Sequence, residues 1–189
     1  MRSMNLTEYT SVILRQHTGR FIIHANKYEI IDSKTREIIG IAKANMFIPF
    51  IRKSTKFYTP HSEEPILYLK EQSHLLSREY VLSDQYSQTV GKLTIGMFRI
   101  RFILKLLDQI TGLEYKINIR DPKGKVLSND EQHVASIVRT QKWIHKGPRD
   151  IEKYKVEIHE EENRLGNLPA LLLAGTIIID HVLAHERVI

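Results

Sequence analysis

The sequence predicts a mainly-β barrel closed around one apolar C-terminal helix, and three observations carry this. Short segments with the period-two alternation of strands follow one another along most of the chain. Turn residues separate them at close intervals, at Asn26, Thr59-Pro60, Asp121-Pro122-Lys123-Gly124 and Gly147-Pro148. The one segment of helical character, LPALLLAGTIIIDHVLAH at residues 168–185, is apolar on every side. Such a helix needs neighbours all round, and a ring of strands supplies them.

In chain order, strands are predicted at residues 20–24 (RFIIH), 27–31 (KYEII) and 37–43 (EIIGIAK), the last two joined by a turn at Asp32-Ser33-Lys34. They continue at 66–71, 78–82, 88–95, 98–105 (FRIRFILK), 113–119, 125–128, 133–142 and 153–159. Strands this short and this closely spaced fit a sandwich or a barrel. Two hairpins look alike: YEIIDSKTREII at 28–39 and INIRDPKGKVL at 117–127 each pass from a strand through Asp and a Lys-containing turn into a second apolar strand. Read as duplicates, they would mark two similar halves of one sheet; Asp turns are also common enough to recur by chance. With 189 residues and no Pro-, Gly- or Ser-rich linker, the chain forms one domain, residues 1–8 being loose.

The terminal segment could be a membrane anchor or a core helix. Leu168 to Ile179 is twelve residues whose one hydroxyl is Thr176, and Asp180 and His181 then interrupt it. A bilayer span needs about twenty consecutive apolar residues. Placing Asp180 in hydrocarbon would cost about 3 kcal/mol even on the mild insertion scale. The central-helix reading therefore wins, over about residues 167–186. Asn167 caps the start, Pro169 is tolerated in the first turn, and Asp180, His181, His185, Glu186 and Arg187 mark the emergence into water.

Composition excludes several functions. The absence of cysteine rules out disulfides, a thiolate zinc site and a cysteine nucleophile. No apolar run near the N-terminus suits a signal peptide, which predicts a cytoplasmic protein. No Gly-rich phosphate loop, G-x-S-x-G elbow or H-E-x-x-H is present, so no enzyme and no cofactor are predicted. The net charge of +6 is unevenly spread: residues 1–60 and 98–149 are basic, at +6 each, whereas 61–97 and 150–189 are acidic. Basic blocks attract phosphate-rich partners, lipid headgroups or nucleic acid.

The order of pieces resembles the tubby C-terminal-domain-like superfamily, most closely the LURP-one-related proteins, with the phospholipid scramblases as more distant relatives. A Tyr-x-Val-x-Ile strand (Tyr154, Val156, Ile158), a polar turn and a long apolar helix ending in Ile179-Asp180 carry the resemblance. So does the early hairpin YEIIDSKTREIIGIAK with Gly40. The resemblance implies a closed antiparallel barrel of twelve strands wound around a central helix. It also supplies the idea of phosphoinositide headgroups gripped by Lys and Arg on the barrel exterior.

Four groups of residues are candidates for function. On FRIRFILK, Phe98, Ile100, Phe102 and Leu104 face one way, and Arg99, Arg101 and Lys105 face outward. Arginine suits phosphate because its planar fork donates hydrogen bonds in pairs. Two basic loops mix cations with aromatics: IRKSTKFY with Arg52, Lys53 and Lys56, and RTQKWIHKGPR around Trp143. Such loops dock at membranes or clamp single-stranded nucleic acid, and the resemblance favours the membrane. The acidic run from Asp150 and Glu152 to Glu162 lies where scramblases bind calcium, but interleaved Lys153 and Lys155 make it a solvated edge, and scramblase-like lipid transfer a weaker alternative. His181 and His185, at i and i+4, have metal-ligand spacing but lack the glutamate of the catalytic form, so no metal is assigned.

The function these observations predict is non-enzymatic, reversible binding of anionic phospholipid or phosphoinositide headgroups by an exterior basic surface. Arg99, Arg101, Lys105, Arg52, Lys53 and Lys56 would contact phosphate on a cytoplasmic protein peripheral to the membrane. The alternative from another class is a protein-interaction scaffold whose basic surface merely solubilises it.

Overall fold

The computed structural model describes residues 9–17, 26–45, 54–73, 78–98, 101–119, 124–140, 151–159 and 166–185. Twelve strands precede one helix: β1 (Ser11–His17), β2 (Asn26–Asp32), β3 (Ile38–Asn45), β4 (Ser54–Tyr58), β5 (Leu67–Ser73), β6 (Arg78–Asp84), β7 (Thr89–Phe98), β8 (Arg101–Asp108), β9 (Glu114–Asn118), β10 (Lys125–Ser128), β11 (His133–Arg139), β12 (Ile151–Ile158) and α1 (Leu168–His185). Each strand pairs antiparallel with its neighbour in sequence, and β1 pairs with β12, Val12 opposite Val156, so the sheet closes into a barrel. Closure removes the exposed strand edges that invite aggregation. Alternation sets the faces: in β4, Thr55 and Phe57 point in and Lys56 points out.

The expected closed barrel of about twelve strands with its C-terminal helix is therefore present, with differences in detail. IRKSTKFY is not a loop throughout, because Ser54–Tyr58 is β4. β1 (SVILRQH) was not among the expected strands, and the expected strand at 20–24 lies outside the described residues. FRIRFILK is not one strand: Phe98 ends β7, Arg101 begins β8, and these two residues pair. Nor are the two look-alike hairpins equivalent copies. Alternating strand direction puts the β2–β3 link at one end of the barrel and the β9–β10 link at the other.

A different recurrence holds at the β2–β3 end. Asp32, Asp84 and Asp108 each close a strand, and their carboxylates accept backbone N–H groups of the following turn, such as Lys34 (3.1 Å), Tyr86 (2.9 Å) and Ile110 (2.8 Å). An aspartate that folds its own turn this way fixes hairpin register. At Asp32, burial favours the neutral acid, but the N–H of Lys34, the hydroxyl and N–H of Thr35 and the Lys34 charge outweigh it, and the pKa falls below its usual value.

Asp108 also anchors the helix. Its fully buried carboxylate accepts the Asn167 backbone N–H at 2.7 Å and the Asn167 amide at 3.3 Å. Gly166 makes the approach possible: its φ is +46°, and a Cβ there would lie 2.5 Å from Asp108 Oδ2. The Asn167 side-chain N–H group donates to Asp108 and to the Val90 carbonyl, and its backbone carbonyl accepts the Leu171 N–H at 3.0 Å. Beyond it, Leu168, Leu171, Leu172, Ile177 and Ile178 are all fully buried, and Thr176 returns its hydroxyl to the Leu172 carbonyl at 2.7 Å. Gly91 on β7 lets the helix come close, since a Cβ there would sit 2.6 Å from Leu171 Cδ2. No helix among the described residues is long and apolar enough to cross a membrane.

The helix does not reach water at Asp180, as the sequence suggested. Asp180 and His181 are 5% and 4% exposed, because the barrel wall extends past them. Tyr28 on β2 donates its hydroxyl to one Asp180 oxygen at 2.8 Å, and Tyr154 on β12 donates to the other at 3.2 Å. These bonds give the Tyr154 and Asp180 positions of the sequence pattern a physical reason: they fasten the helix to strands from both ends of the chain. Asp180→Ala takes the acceptor from two buried hydroxyls and is expected to cost about 2–5 kcal/mol. Asp180→Asn keeps one acceptor oxygen and should cost less. Urea unfolding, read as a shift in midpoint at constant slope, checks both.

Candidate functional site: an exterior row of lysines

Three lysines stand side by side on three adjacent strands. Lys27 on β2 is directly opposite Lys43 on β3, and Lys43 is directly opposite Lys56 on β4. All three are exposed. Neighbouring strands are about 4.8 Å apart, so the row spans roughly 10 Å. Lys70 on β5 extends it, opposite Ser54 of β4. Tyr58 and Tyr68 are interleaved: the Lys43 ammonium lies 4.7 Å from the Tyr58 ring centre, and that of Lys70 lies 5.9 Å from Tyr68.

Like charges directly opposite on a sheet repel and reduce stability. Elsewhere on this barrel a carboxylate relieves the repulsion. Lys105 and Lys116 are also opposite each other, but Glu114 lies 3.5 Å from one and 3.8 Å from the other. Lys92 pairs with Glu79, and Lys155 with Glu157. Lys27, at the end of the row, lies 4.0 Å from Glu29, which Arg15 also contacts at 3.7 Å. For Lys43, Lys56 and Lys70, no described carboxylate comes within 4.0 Å, and for Lys43 and Lys70 the cation–π contact with tyrosine is a weaker compensation.

The row lies toward the end of the barrel opposite the Asp-closed turns. At that other end, the described turn residues 33–37, 59–66, 85–88, 109–113 and 129–132 carry two Lys or Arg and five Asp or Glu.

Of the residues the sequence singled out, Lys56 sits in the middle of the row. Lys105 is exposed on β8, remote in strand order, with its charge compensated by Glu114. Arg101 begins β8, and its side chain is outside the described residues, as are Arg52, Lys53 and Arg99 altogether. Asp150 likewise lies outside them, and Glu152 is in β12 opposite Arg15. His181 is buried, His185 ends the helix, and no group of three potential metal ligands occurs among the described residues. Lys27, Lys43 and Lys70 were missed because only strand register puts them beside Lys56. The KxY and YxK spacings at 56–58 and 68–70 were the one local signal.

Comparison with known proteins finds no matching family model, no matching curated protein and no matching solved structure.

Proposed function

We propose that the protein binds anionic phospholipid or phosphoinositide headgroups reversibly through the lysine row on β2–β5, without catalysing a reaction. The observation that carries this is Lys43 opposite Lys56 with no described carboxylate to neutralise either. A phosphate bridging two ammonium groups removes the repulsion that the fold otherwise bears. Tyr58 and Tyr68, amphipathic and half-buried beside the lysines, suit the headgroup layer of a bilayer. The likeness to tubby-like and LURP-one-related proteins agrees with this reading and is itself part of the proposal.

Each Lys near an anionic leaflet contributes about 1 kcal/mol, so the row alone gives modest, salt-sensitive affinity. Co-sedimentation with vesicles containing phosphatidylserine or a phosphoinositide should show binding that weakens steadily from low to high salt, and none to neutral phosphatidylcholine vesicles. Binding indifferent to headgroup charge, or none at low salt, would exclude the reading. A protein-docking role has one feature in its favour: Tyr86 and Ile110, each 75% exposed, stand on turns at the acidic end. A partner retained after the lysine row is neutralised would support it.

A further inference from the structure

Two histidines converge on one oxygen at the acidic end of the barrel. His133 opens β11 and His159 follows β12. His133 Nε2 is 2.9 Å from Ser136 Oγ, and His159 Nε2 is 3.1 Å from the same atom. The ring centres are 4.9 Å apart and the planes tilted by 60°. Both rings are exposed, whereas Ser136 is 8% exposed. Two imidazole nitrogens, each on an exposed residue, therefore converge on one oxygen of a nearly buried one.

The geometry points to a divalent transition-metal site with His133 and His159 as its ligands. Imidazole nitrogen selects ions such as Zn²⁺, Cu²⁺ and Ni²⁺ over Ca²⁺ and Mg²⁺, which prefer oxygen. Zinc bonds to nitrogen at about 2.0–2.1 Å, so an ion held between the two Nε2 atoms occupies the space they now share with Ser136 Oγ. Water completes the coordination. Among charged neighbours, Lys125 on β10 and Glu157 on β12 are both opposite Ser136, and Lys155 holds Glu157 at 2.6 Å. The excess of carboxylates at this end of the barrel favours cation approach. This site is independent of the lysine row and of the lipid reading.

The test is a titration of the full-length protein with ZnCl₂ by calorimetry, with histidine ring resonances followed by NMR. One Zn²⁺ should bind with the His133 and His159 signals perturbed first. His133→Ala and His159→Ala should each weaken that event at least about tenfold, the lower end of what disturbing a metal's surroundings costs. Ser136→Ala removes a competing hydrogen bond and leaves both ligands, so Zn²⁺ affinity should be kept or raised; a merely structural His–Ser–His contact gives no Zn²⁺ response in any variant. Both histidines are on the surface, and matching melting temperatures will show that the variants fold. Zn²⁺ affinity unchanged in His133→Ala/His159→Ala, or no saturable binding by the unaltered protein at 100 μM Zn²⁺, overturns the assignment.

Discussion

A chain ending at Asn167 is expected not to fold. Seven Leu and Ile side chains between Leu168 and Ile179 are no more than 4% exposed, and all belong to the same core cluster as the inward residues of the strands. Burying one such side chain contributes about 1.5–3 kcal/mol, so the helix supplies roughly 10–20 kcal/mol of apolar burial. That is an upper estimate, since unfolded chains are partly compact. It still matches or exceeds the whole stability of an ordinary domain, about 5–15 kcal/mol. Removing the helix would also expose the inward faces of the strands, among them Leu93, Leu104 and Leu106. The truncated protein should show no cooperative thermal transition and should aggregate or bind a hydrophobic dye. Leu172→Ala gives a graded version, with an expected loss of about 2–5 kcal/mol. A soluble, cooperatively melting fragment of residues 1–167 would show that the barrel does not depend on its helix.

The helix was the most legible part of the fold. Its length, its all-round apolarity and its interrupting Asp180 are enough to point to a plug inside a ring of strands. Most strands were legible too, because inward and outward residues alternate cleanly, as at Glu114–Asn118. β4 was hidden by its basic flank: IRKSTK reads as loop, although Thr55 and Phe57 are the inward pair. The depth of the plug was also hidden. Asp180 looked like a residue seeking water, and its real partners, Tyr28 and Tyr154, lie 152 and 26 residues away in the chain.

The binding surface was less legible, for a reason of geometry. A basic strand such as FRIRFILK concentrates charge along the sequence, and that is where attention falls. Charge on a barrel wall accumulates across strands instead, and Lys27, Lys43 and Lys56 are 29 residues apart end to end yet neighbours in space. Neutralisation is equally invisible in sequence. Lys105 and Lys56 look alike until strand pairing places Glu114 beside the first and tyrosine beside the second.

That contrast supplies the decisive experiment. Lys43→Glu with Lys56→Glu changes the charge of the row by four units, which at about 1 kcal/mol each weakens vesicle binding by about a thousandfold at 1.4 kcal/mol per decade. Lys105→Glu with Lys116→Glu changes the net charge of the protein equally, but on a wall where Glu114 already compensates the lysines. Both pairs are exposed, so neither should prevent folding. The measurement is the affinity of these two variants and the unaltered protein for phosphatidylserine vesicles at low salt. Loss of binding in the first variant, with the second within about tenfold of the unaltered protein, is the expected result. Equal losses would mean that net charge, not this row, does the binding, and undiminished binding by Lys43→Glu/Lys56→Glu would contradict the proposed site outright.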